Sequence, residues 1–408
     1  MKYLVTHPSK FCEGQIQLDG SKSISNRLLV IRHLCKKNFE LNGLSTSDDT
    51  QVLQKAISFK STEIDIHHAG TCMRFLTALL SITNGEWLLT GSQRMQQRPI
   101  GLLVEALQKL GAQISYSNKQ GYPPLKITGH ALNGGNITIK GNISSQFITA
   151  LLLVAPVLKN GLILNIDGNL VSRPYVQMTL DIMAAFGIKY QWNGNQINIQ
   201  NQAYKAHDFE VEADWSGASY FFGIASLAKQ ANIQLKGLQA KSYQGDAACT
   251  QIGALLNITS NWNNGLLNLT QKTASQQFNF NFIECPDLAQ TFVVNCAALG
   301  IDGHFSGLQT LAIKETDRTA ALATELAKFN IRFYEQNGTW ILNTNQANFN
   351  RTIAIDTYKD HRMAMAFAPL ALVCPNGIII NEPKVVSKSY PAFWADLEKL
   401  GFNIKDLS

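Results

Sequence analysis

The sequence predicts two α/β domains in which one set of helices is packed inside shells of short β-strands. Three observations carry this prediction. The chain has 408 residues, which is long for a single hydrophobic core. Amphipathic helices that end in the same way recur six times along it. Six further helical segments are apolar on almost every face, which is typical of helices buried inside a domain.

The recurrent unit is an amphipathic helix that ends near a glycine or asparagine and runs into a strand. These two residues suit the left-handed conformation that terminates helices. Clear examples lie at 103–114, 180–190, 322–333 and 393–404, and weaker ones lie at 52–64 and around 252–258. We expect hairpins at Asn-Gly pairs, because both positions tolerate positive φ. These pairs lie at 84–85, 133–134, 193–194, 264–265 and 337–338. The pattern predicts six βαβαββ units in two groups of three.

Each apolar helix is preceded by a polar cluster. The helices are expected at 28–34, 75–80, 147–157, 220–228, 288–299 and 363–373. The clusters lie at 21–27, 70–74, 144–146, 214–217, 286–287 and 359–362. A Ser or Asp that caps a helix is ordinary, which accounts for Ser216 and for Asp214.

Helix capping does not explain Lys22, Arg27, Arg74 and Arg362 in these clusters. A cation at a helix N-terminus opposes the macrodipole, which favours negative charge there. The repetition makes sense if anions bind between the free N–H groups and the basic side chains. Charge-assisted hydrogen bonds of roughly 1.5–3 kcal/mol each would outweigh the dipole cost. The alternative is a set of solvated surface cations.

Two further stretches fit the same reasoning. Lys314–Arg318 places five polar residues after LQTLAI (308–313), which is interpreted as a strand. Arg98 stands beside Pro99, a residue suited to open a helix predicted at 100–110. The sequence has no P-loop, G-x-G-x-x-G, HExxH or paired Cys/His set, so neither nucleotide binding through those motifs nor a metal site is predicted.

Composition narrows the class further. The formal net charge of +6 is too small and too scattered to indicate a nucleic-acid partner. No apolar run reaches the ~18–20 residues that a membrane span needs, and the first residues lack the pattern of a secretory signal. The seven cysteines form no CxxC pair and lie mostly among apolar neighbours. They indicate reduced, buried thiols and a cytoplasmic protein.

Eight segments together resemble the signature segments of the EPSP synthase family of enolpyruvyl transferases, in family order. They are GSKSISNR (20–27), HAGTCMRF (68–75), RPIG (98–101), GNISSQFITALLL (141–153), LVSRPY (170–175), KETDR (314–318), YKDHRMAMAF (358–367) and KSYP (388–391). RPIG alone is a weak signal, whereas the combination is very specific. The resemblance spans nearly the whole chain.

The resemblance implies an inverse α/β barrel in each of two domains, with three βαβαββ units per domain. Residues 20–211 would form one domain, with shikimate 3-phosphate-binding segments. Residues 1–19 and 212–408 would form the other, with the KETDR and DHRMAM segments. The active site would lie in the cleft between the domains, which closes on substrate. The resemblance also suggests a monomer.

The resemblance further implies roles for individual residues. The expected shikimate 3-phosphate contacts are Lys22, Ser23, Arg27, Ser144, Ser145, Gln146, Ser172, Tyr175, Asp287 and Lys314. The expected phosphoenolpyruvate contacts are Lys22, Gly70, Arg98, Gln146, Arg318, Arg362 and Lys388. The expected catalytic residues are Lys22, Asp287 and Glu315. Asp287 would accept the proton of the 5-hydroxyl, and Glu315 or Lys22 would move the proton at C3 of phosphoenolpyruvate.

The implied reaction is an addition–elimination that transfers the enolpyruvyl group of phosphoenolpyruvate to the 5-hydroxyl of shikimate 3-phosphate and releases phosphate. It needs no metal or organic cofactor. Both substrates are polyanions, so a site lined by Lys and Arg would offset their repulsion. Glyphosate is expected to inhibit, since Gly70 matches a family position where a side chain would crowd that inhibitor.

Two positions depart from the family pattern, and two other functions compete with it. His68 and Thr310 stand where the family commonly has Asn, which puts a shikimate 3-phosphate contact at Thr310 in doubt. The nearest rival is the sister transferase acting on UDP-N-acetylglucosamine, but that enzyme typically has Lys-Asn where this chain has Lys22-Ser23, and it uses a loop cysteine. The other rival is a non-catalytic anion- or RNA-binding protein, which would not need carboxylates among its cations.

Overall fold

A computed structural model describes residues 1–142, 144–271 and 277–407. The chain divides into two compact units. The terminal unit comprises Met1–Gly20 and Glu212–Ser408, and the central unit comprises Ser21–Val211. The division differs from the expected domain boundary only in the placement of Gly20.

The elements alternate along the chain as the sequence predicts. The terminal unit begins with β1 (Lys2–Thr6) and β2 (Phe11–Gln17). The central unit contains α1 (Lys22–Leu34), β3 (Leu41–Asn42), α2 (Asp48–Ala56), β4 (Glu63–Asp65), α3 (Gly70–Ile82), β5 (Gly85–Thr90), α4 (Gly101–Lys109), β6 (Gln113–Tyr116), β7 (Leu125–Gly129), β8 (Gly135–Lys140), α5 (Ser145–Val154), β9 (Leu162–Asp167), α6 (Arg173–Ala185), β10 (Gln191–Asn193), β11 (Gln196–Ile199) and β12 (Phe209–Glu210).

The terminal unit then resumes. It contains α7 (Trp215–Leu227), β13 (Gln230–Lys236), α8 (Cys249–Leu255), β14 (Ile258–Asn263), β15 (Leu266–Gln271), β16 (Phe278–Asn281), α9 (Ala289–Leu299), β17 (Gly303–Ser306), α10 (Arg318–Ala327), β18 (Arg332–Gln336), β19 (Thr339–Asn343), β20 (Ala354–Ile355), α11 (His361–Phe367), β21 (Ile378–Asn381), α12 (Phe393–Lys399) and β22 (Asn403–Asp406).

Five four-stranded sheets share one plan, in which a parallel pair is extended by two antiparallel strands. Their orders are β4-β5-β7-β6, β8-β9-β11-β10, β16-β17-β19-β18, β2-β13-β15-β14 and β20-β21-β1-β22. The parallel pairs are β4/β5, β8/β9, β16/β17, β2/β13 and β20/β21. In four of these sheets one α-helix connects the two parallel strands, as parallel pairing requires, whereas the central unit and α7 lie between β2 and β13. The two-domain α/β fold class predicted from the sequence is confirmed.

The sixth unit is smaller than predicted. In the described part of the chain, β3 pairs only with β12, in parallel, over two residues of each strand. The chain leaves α2 directly for β4, which pairs with β5 in the next sheet. The weak helix-to-strand pattern at 52–64 therefore joins two units and does not complete the first one.

The predicted helix ends are confirmed. Gly111, Gly187, Asn330 and Gly401 have φ values of +102°, +82°, +61° and +89°, and each lies between a helix and the following strand. These positions stop one helical ladder and turn the chain into the next strand.

The Asn-Gly pairs are hairpins at three places and not at the other two. Asn-Gly at 193–194, 264–265 and 337–338 connects β10 to β11, β14 to β15 and β18 to β19. The pair at 84–85 instead joins α3 to β5, and the pair at 133–134 precedes β8, whose sheet does not include β7. The hairpin prediction was wrong at these two pairs because Asn-Gly favours any turn with positive φ, whatever element precedes it.

The apolar helices are buried as predicted. In α7 every residue except Ser216 is buried, and α3, α5, α9 and α11 are almost wholly enclosed. Because these helices carry few polar side chains along their length, their own polar groups lie mainly near the helix N-termini.

Three local predictions were wrong. Residues Gln309–Ile313 form a 3₁₀-helix and not a strand. Pro99 lies before α4, which begins at Gly101. Capping of α7 was predicted for both Ser216 and Asp214; it is wrong for Ser216, which lies inside the helix, and confirmed for Asp214, whose Oδ1 accepts from the N–H of Gly217 at 2.8 Å.

The thiols are largely enclosed, as the composition indicates. Six of the seven cysteines are buried and Cys35 is partly buried, and all seven are free. Within residues 1–142, 144–271 and 277–407, no helix has the length and apolar character to cross a membrane.

Candidate active site

In the terminal unit, Arg318 holds three carboxylates at once. It is the first residue of α10, directly after the capping residue Asp317. Its Nε lies 2.7 Å from Asp360 Oδ2, its Nη1 3.0 Å from Asp287 Oδ1, and its Nη2 2.9 Å from Glu315 Oε2. Arg318 is only 2% exposed. Desolvation acts to lower its pKa, but the carboxylates of Asp360, Glu315 and Asp287 outweigh this and raise it.

Asp287 is surrounded by three cations. Its carboxylate accepts from Lys314 Nζ at 3.4 Å, Arg318 Nη1 at 3.0 Å and Arg362 Nη2 at 3.0 Å. Burial acts to raise the pKa of Asp287, but Arg362, Lys314 and Arg318 overcome that effect and hold the pKa well below its usual value. Asp287 is therefore ionised at neutral pH, as a proton acceptor must be.

Glu315 joins the same network from the turn that precedes α10. One carboxylate oxygen accepts from Arg318, and the other accepts from Lys388 Nζ at 2.9 Å. Lys388 is the last residue of the 3₁₀-helix Pro383–Lys388 and is buried. The terminal unit thus brings together all six charged residues that the resemblance assigned to it: Asp287, Lys314, Glu315, Arg318, Arg362 and Lys388.

Arg362 is held by neutral groups as well as by Asp287. Its Nη1 donates to the main-chain oxygen of Asp287 at 3.0 Å and to the hydroxyl of Tyr220 at 3.4 Å. Its Nη2 donates to Ser216 Oγ at 3.3 Å. Burial raises the pKa of Tyr220 to about 12, so its hydroxyl stays neutral. The guanidinium is consequently fixed from several sides.

In the central unit, Lys22 is the first residue of α1 and lies near Asp49. Its Nζ is 3.3 Å from Asp49 Oδ2, and its side chain is 16% exposed. Asp49 belongs to α2 and is itself buried. Ser21, not Lys22, caps α1, because its Oγ accepts from the N–H of Ile24. Lys22 is therefore at the helix N-terminus without a capping role.

Arg27 is buried among neutral partners. Its guanidinium donates to Thr179 Oγ1 at 2.8 Å, Ser23 O at 2.6 Å, Tyr175 O at 3.2 Å and Thr149 Oγ1 at 3.3 Å. No carboxylate among the described residues lies within ion-pair distance of it. Desolvation lowers the pKa of Arg27 to about 9, which still leaves it charged at neutral pH. A buried cation with neutral partners favours an anionic ligand nearby.

Gly70, Arg74 and Arg98 lie together at the start of α3. Arg74 Nη1 donates to the main-chain oxygen of Gly70 at 3.0 Å. A Cβ placed at Gly70 would lie 2.5 Å from Arg98 Nη1 and 3.2 Å from Arg74 Nη1. Arg98 is buried. The absence of a side chain at Gly70 therefore leaves the space that the Arg98 guanidinium occupies.

The remaining predicted contacts of the central unit lie at the starts of α5 and α6. Ser144 caps α5, where its Oγ accepts from the N–H of Gln146, and Ser145 is the first residue of that helix. Gln146 Nε2 donates to Thr71 Oγ1 at 3.2 Å, which connects α5 with α3. Ser172 precedes α6 in the left-handed region, with a φ of +55°. This conformation costs a non-glycine residue of order 1–3 kcal/mol and is typical of functional positions.

The two departures from the family pattern have different surroundings. His68 Nδ1 lies 2.7 Å from Ser92 Oγ and is at the surface. Thr310 Oγ1 is buried and, within the described residues, has no hydrogen-bond partner. Thr310 lies in the 3₁₀-helix Gln309–Ile313, four residues before Lys314.

Sequence reasoning assigned no role to three carboxylates that organise these groups. Asp360 is fully buried, caps α11 and binds Arg318. Asp49 pairs with Lys22, and Asp246 accepts a hydrogen bond from Ser216. Asp360 lies inside the DHRMAM segment and could have been found there as a cap. Asp49 and Asp246 lie in stretches without any distinctive pattern.

The described groups of the site are charged side chains and the hydroxyls that contact them. No group of three His, Cys, Asp or Glu side chains that could hold a metal ion occurs in the described ranges. What the arrangement offers is a set of fixed cations for anionic groups and carboxylates that can move protons.

The fold and these charged groups define a two-unit α/β protein equipped to bind acidic small molecules. The family model described as EPSP synthase (3-phosphoshikimate 1-carboxyvinyltransferase) matches residues 52–397. The chain belongs to this family.

Curated relatives and solved structures agree with that membership. A Bacteroides fragilis (strain YCH46) protein named 3-phosphoshikimate 1-carboxyvinyltransferase is 49% identical over 409 residues, with 99% of each chain covered. A protein of the same name from Aliivibrio salmonicida (strain LFI1238) is 37% identical, covering 98% of this chain and 100% of its own. EPSP synthase from Acinetobacter baumannii superimposes with a TM-score of 0.79 at 18% identity, covering 99% of this chain and 100% of its own, which supports the fold alone.

Proposed function

We propose that this chain is an enzyme that transfers the 1-carboxyvinyl group of phosphoenolpyruvate to the 5-hydroxyl of shikimate 3-phosphate, in the pathway to chorismate and aromatic amino acids. Its full-length similarity to proteins named for this transfer carries the proposal. The charged network around Asp287 supports it, because a non-catalytic anion-binding site gains nothing from carboxylates that neutralise its cations.

The terminal unit supplies groups for phosphoenolpyruvate and for proton transfer. Arg318, Arg362 and Lys388 bind the phosphate and carboxylate of phosphoenolpyruvate, and Lys314 contacts shikimate 3-phosphate. Asp287 accepts the proton of the 5-hydroxyl. A carboxylate with a strongly lowered pKa is a weak base, so the substrate anions must first engage its cations and raise that pKa. Glu315, or Lys22 of the central unit, moves the proton at C3.

The central unit supplies most of the shikimate 3-phosphate contacts. Arg27, Ser23, Ser144, Ser145, Gln146, Ser172 and Tyr175 bind that substrate, together with Lys22. Gly70, Arg98 and Gln146 contact phosphoenolpyruvate. The buried charge of Arg27 supports this assignment, since a bound phosphate would compensate it. We further propose that the groups of both units act on the same substrate pair, and that the enzyme is a cytoplasmic monomer.

The experiment that tests the function is phosphate release from purified protein with phosphoenolpyruvate and shikimate 3-phosphate, with UDP-N-acetylglucosamine as the parallel acceptor. We expect release that depends on shikimate 3-phosphate alone. Release only with the nucleotide sugar would assign the chain to the sister transferase. If folded protein releases no phosphate with either acceptor, the catalytic proposal is contradicted.

Replacing Lys22 separates catalysis from stability. Lys22→Ala is expected to abolish measurable phosphate release while the thermal transition stays nearly unchanged, because the Lys22 side chain is 16% exposed and its ion pair with Asp49 is long, at 3.3 Å, and partly solvated. Lys109→Ala, at an exposed position of α4 in the same unit, is the matched control and should keep normal activity. Normal turnover by the Lys22 variant would refute its assigned role.

Glyphosate is expected to inhibit the enzyme in competition with phosphoenolpyruvate. Gly70→Ala should raise the inhibition constant by about tenfold or more and raise KM for phosphoenolpyruvate less, because its Cβ meets the Arg98 guanidinium at 2.5 Å. Initial rates at varied phosphoenolpyruvate and inhibitor measure both constants. A wild-type enzyme that is insensitive at millimolar glyphosate would contradict this prediction.

A further inference from the structure

Ser216 is a polar bridge at the start of an otherwise buried helix. It is the one residue of α7 that is not buried. Its Oγ accepts from Arg362 Nη2 at 3.3 Å, and its hydroxyl donates to Oδ2 of Asp246. A serine hydroxyl has one proton and two acceptor positions, so it can serve both neighbours at once. The bridge therefore connects Asp246 to a guanidinium that also holds Asp287.

Asp246 is a buried carboxylate without an assigned role. It lies in the 3₁₀-helix Gly245–Ala248 and is 3% exposed. The charged and titratable groups that face it are Asp214, Cys249, Cys285, Asp287 and Arg362. Burial, followed by the charge of Asp287, raises the pKa of Asp246 to about 6, against the opposing effects of Ser216 and Arg362.

The ionisation state of Asp246 decides how Ser216 is oriented. An ionised carboxylate only accepts hydrogen bonds, and a guanidinium only donates them. With Asp246 ionised, the Ser216 proton points to Asp246 and the oxygen lone pairs face Arg362. A protonated Asp246 can donate to Ser216 itself, which removes both the negative charge and this fixed direction. Burying the charge of Asp246 is costly, and the hydrogen bond from Ser216 and the charge of Arg362 offset part of that cost.

We propose that Asp246 is a positioning residue that acts through Ser216 to hold Arg362 in the orientation that binds phosphoenolpyruvate. The inference rests on the proposed function, in which Arg362 contacts that substrate. Asp246 itself touches no substrate in this scheme. Its role is to keep the acceptor that fixes one edge of the guanidinium.

The first test compares Asp246→Asn with the wild type at pH 7.5, by phosphate release at varied phosphoenolpyruvate. We expect KM for phosphoenolpyruvate to rise about tenfold, while kcat and KM for shikimate 3-phosphate change less than threefold, because one contact of Arg362 is weakened while its two contacts with Asp287 remain. The melting temperature should be unchanged or higher, because the raised pKa means that the ionised form destabilises the fold above about pH 6.

The pH profile distinguishes a positioning role from a structural one. At each pH, KM for phosphoenolpyruvate of Asp246→Asn is divided by that of the wild type. Protonation of the substrate affects both values equally, so it does not change this ratio. We expect this ratio to be about ten above pH 7 and to approach one as the pH falls below about 6, where wild-type Asp246 is protonated. Glu212→Gln is the matched control, since Glu212 is a buried carboxylate that accepts from Ser242 at 2.7 Å and has a raised pKa. Its ratio should stay near one throughout.

A double-mutant cycle tests the path through Ser216. Ser216→Ala alone should raise KM for phosphoenolpyruvate by a similar factor, and adding Asp246→Asn should raise it less than twofold further. If the two substitutions raise KM by independent factors that multiply in the double variant, the proposed action of Asp246 through Ser216 is overturned. An Asp246→Asn enzyme with normal KM, or one whose only defect is a lower melting temperature and active fraction, would overturn the role itself. Failure of the wild type to release phosphate would instead refute the proposed function.

Discussion

Asp287→Asn is expected to lower kcat by about 10²–10⁴-fold, the range that a positioned general base contributes. Asparagine keeps the shape of the side chain but cannot accept the proton of the 5-hydroxyl. The substitution also removes a negative charge from Lys314, Arg318 and Arg362. Binding of inorganic phosphate to the variant should therefore be retained or become tighter.

Steady-state phosphate release and calorimetry with inorganic phosphate measure these two effects. Asp302→Asn provides the control, because Asp302 is an exposed carboxylate of the same unit that accepts from the hydroxyl of Thr344 at 2.8 Å. It should leave kcat unchanged. A kcat within threefold of the wild type for Asp287→Asn would exclude Asp287 as the base. Loss of phosphate binding would show that the carboxylate is needed to assemble the cations.

Arg318→Ala is expected to lower the free energy of unfolding of the terminal unit by about 3–5 kcal/mol, as removal of one partner from a buried ionic network does. Asp360, which is fully buried, loses its contacts with Arg318 at 2.7 and 3.4 Å. Urea unfolding followed by circular dichroism measures the change, provided that the m-value is constant. Arg318→Lys should lower the free energy of unfolding less, since lysine keeps the positive charge although it lacks the several N–H donors of the guanidinium.

The stability difference should also depend on pH. The lowered pKa of Asp287 means that its ionised form stabilises the fold above its unfolded pKa of about 4 and that this contribution disappears as the pH falls through the folded value. The difference in free energy of unfolding between Arg318→Ala and the wild type should therefore become smaller below about pH 4. A gap that is constant from pH 7 to pH 3 would indicate that packing, and not charge, is what the arginine contributes.

Local signals in the sequence were sufficient for much of the fold. Gly111, Gly187 and Gly401 end helices because a left-handed residue terminates a helix whatever its tertiary surroundings are. The apolar helices could also be predicted, since a helix such as α7 has no polar face to place in water. The pairing of strands that are distant in the sequence could not be predicted from local patterns. The reduced first sheet, β3 with β12, depends on which strands β4 joins, and no short-range pattern encodes that choice.

The candidate site divides in a similar way. Cations at helix N-termini are conspicuous because they oppose the dipole, so Lys22 and Arg362 could be singled out. The carboxylates that orient them could not. Asp246 is 30 residues from its partner Ser216, and nothing at either position departs from ordinary capping or turn chemistry. Capping was predicted for Ser216 as well as for Asp214, because a Ser beside a helix start is usually a cap, but only Asp214 has that role at α7.

The interruption of the terminal unit by the central one has a consequence for the order of folding. The parallel pair β2/β13 joins Phe11 to Gln230, and β1 pairs with β21 near the other end of the chain. Closing a loop that is tenfold longer than an ordinary one costs about 2 kcal/mol of additional free energy, because the chain loses more conformational entropy. The central unit is one continuous segment, so it can fold during synthesis as soon as its last strand emerges. The bridge between Gly20 and Ala213 shows that its flanking residues meet. We therefore expect the central unit to fold first and, once folded, to bring the two halves of the terminal unit together.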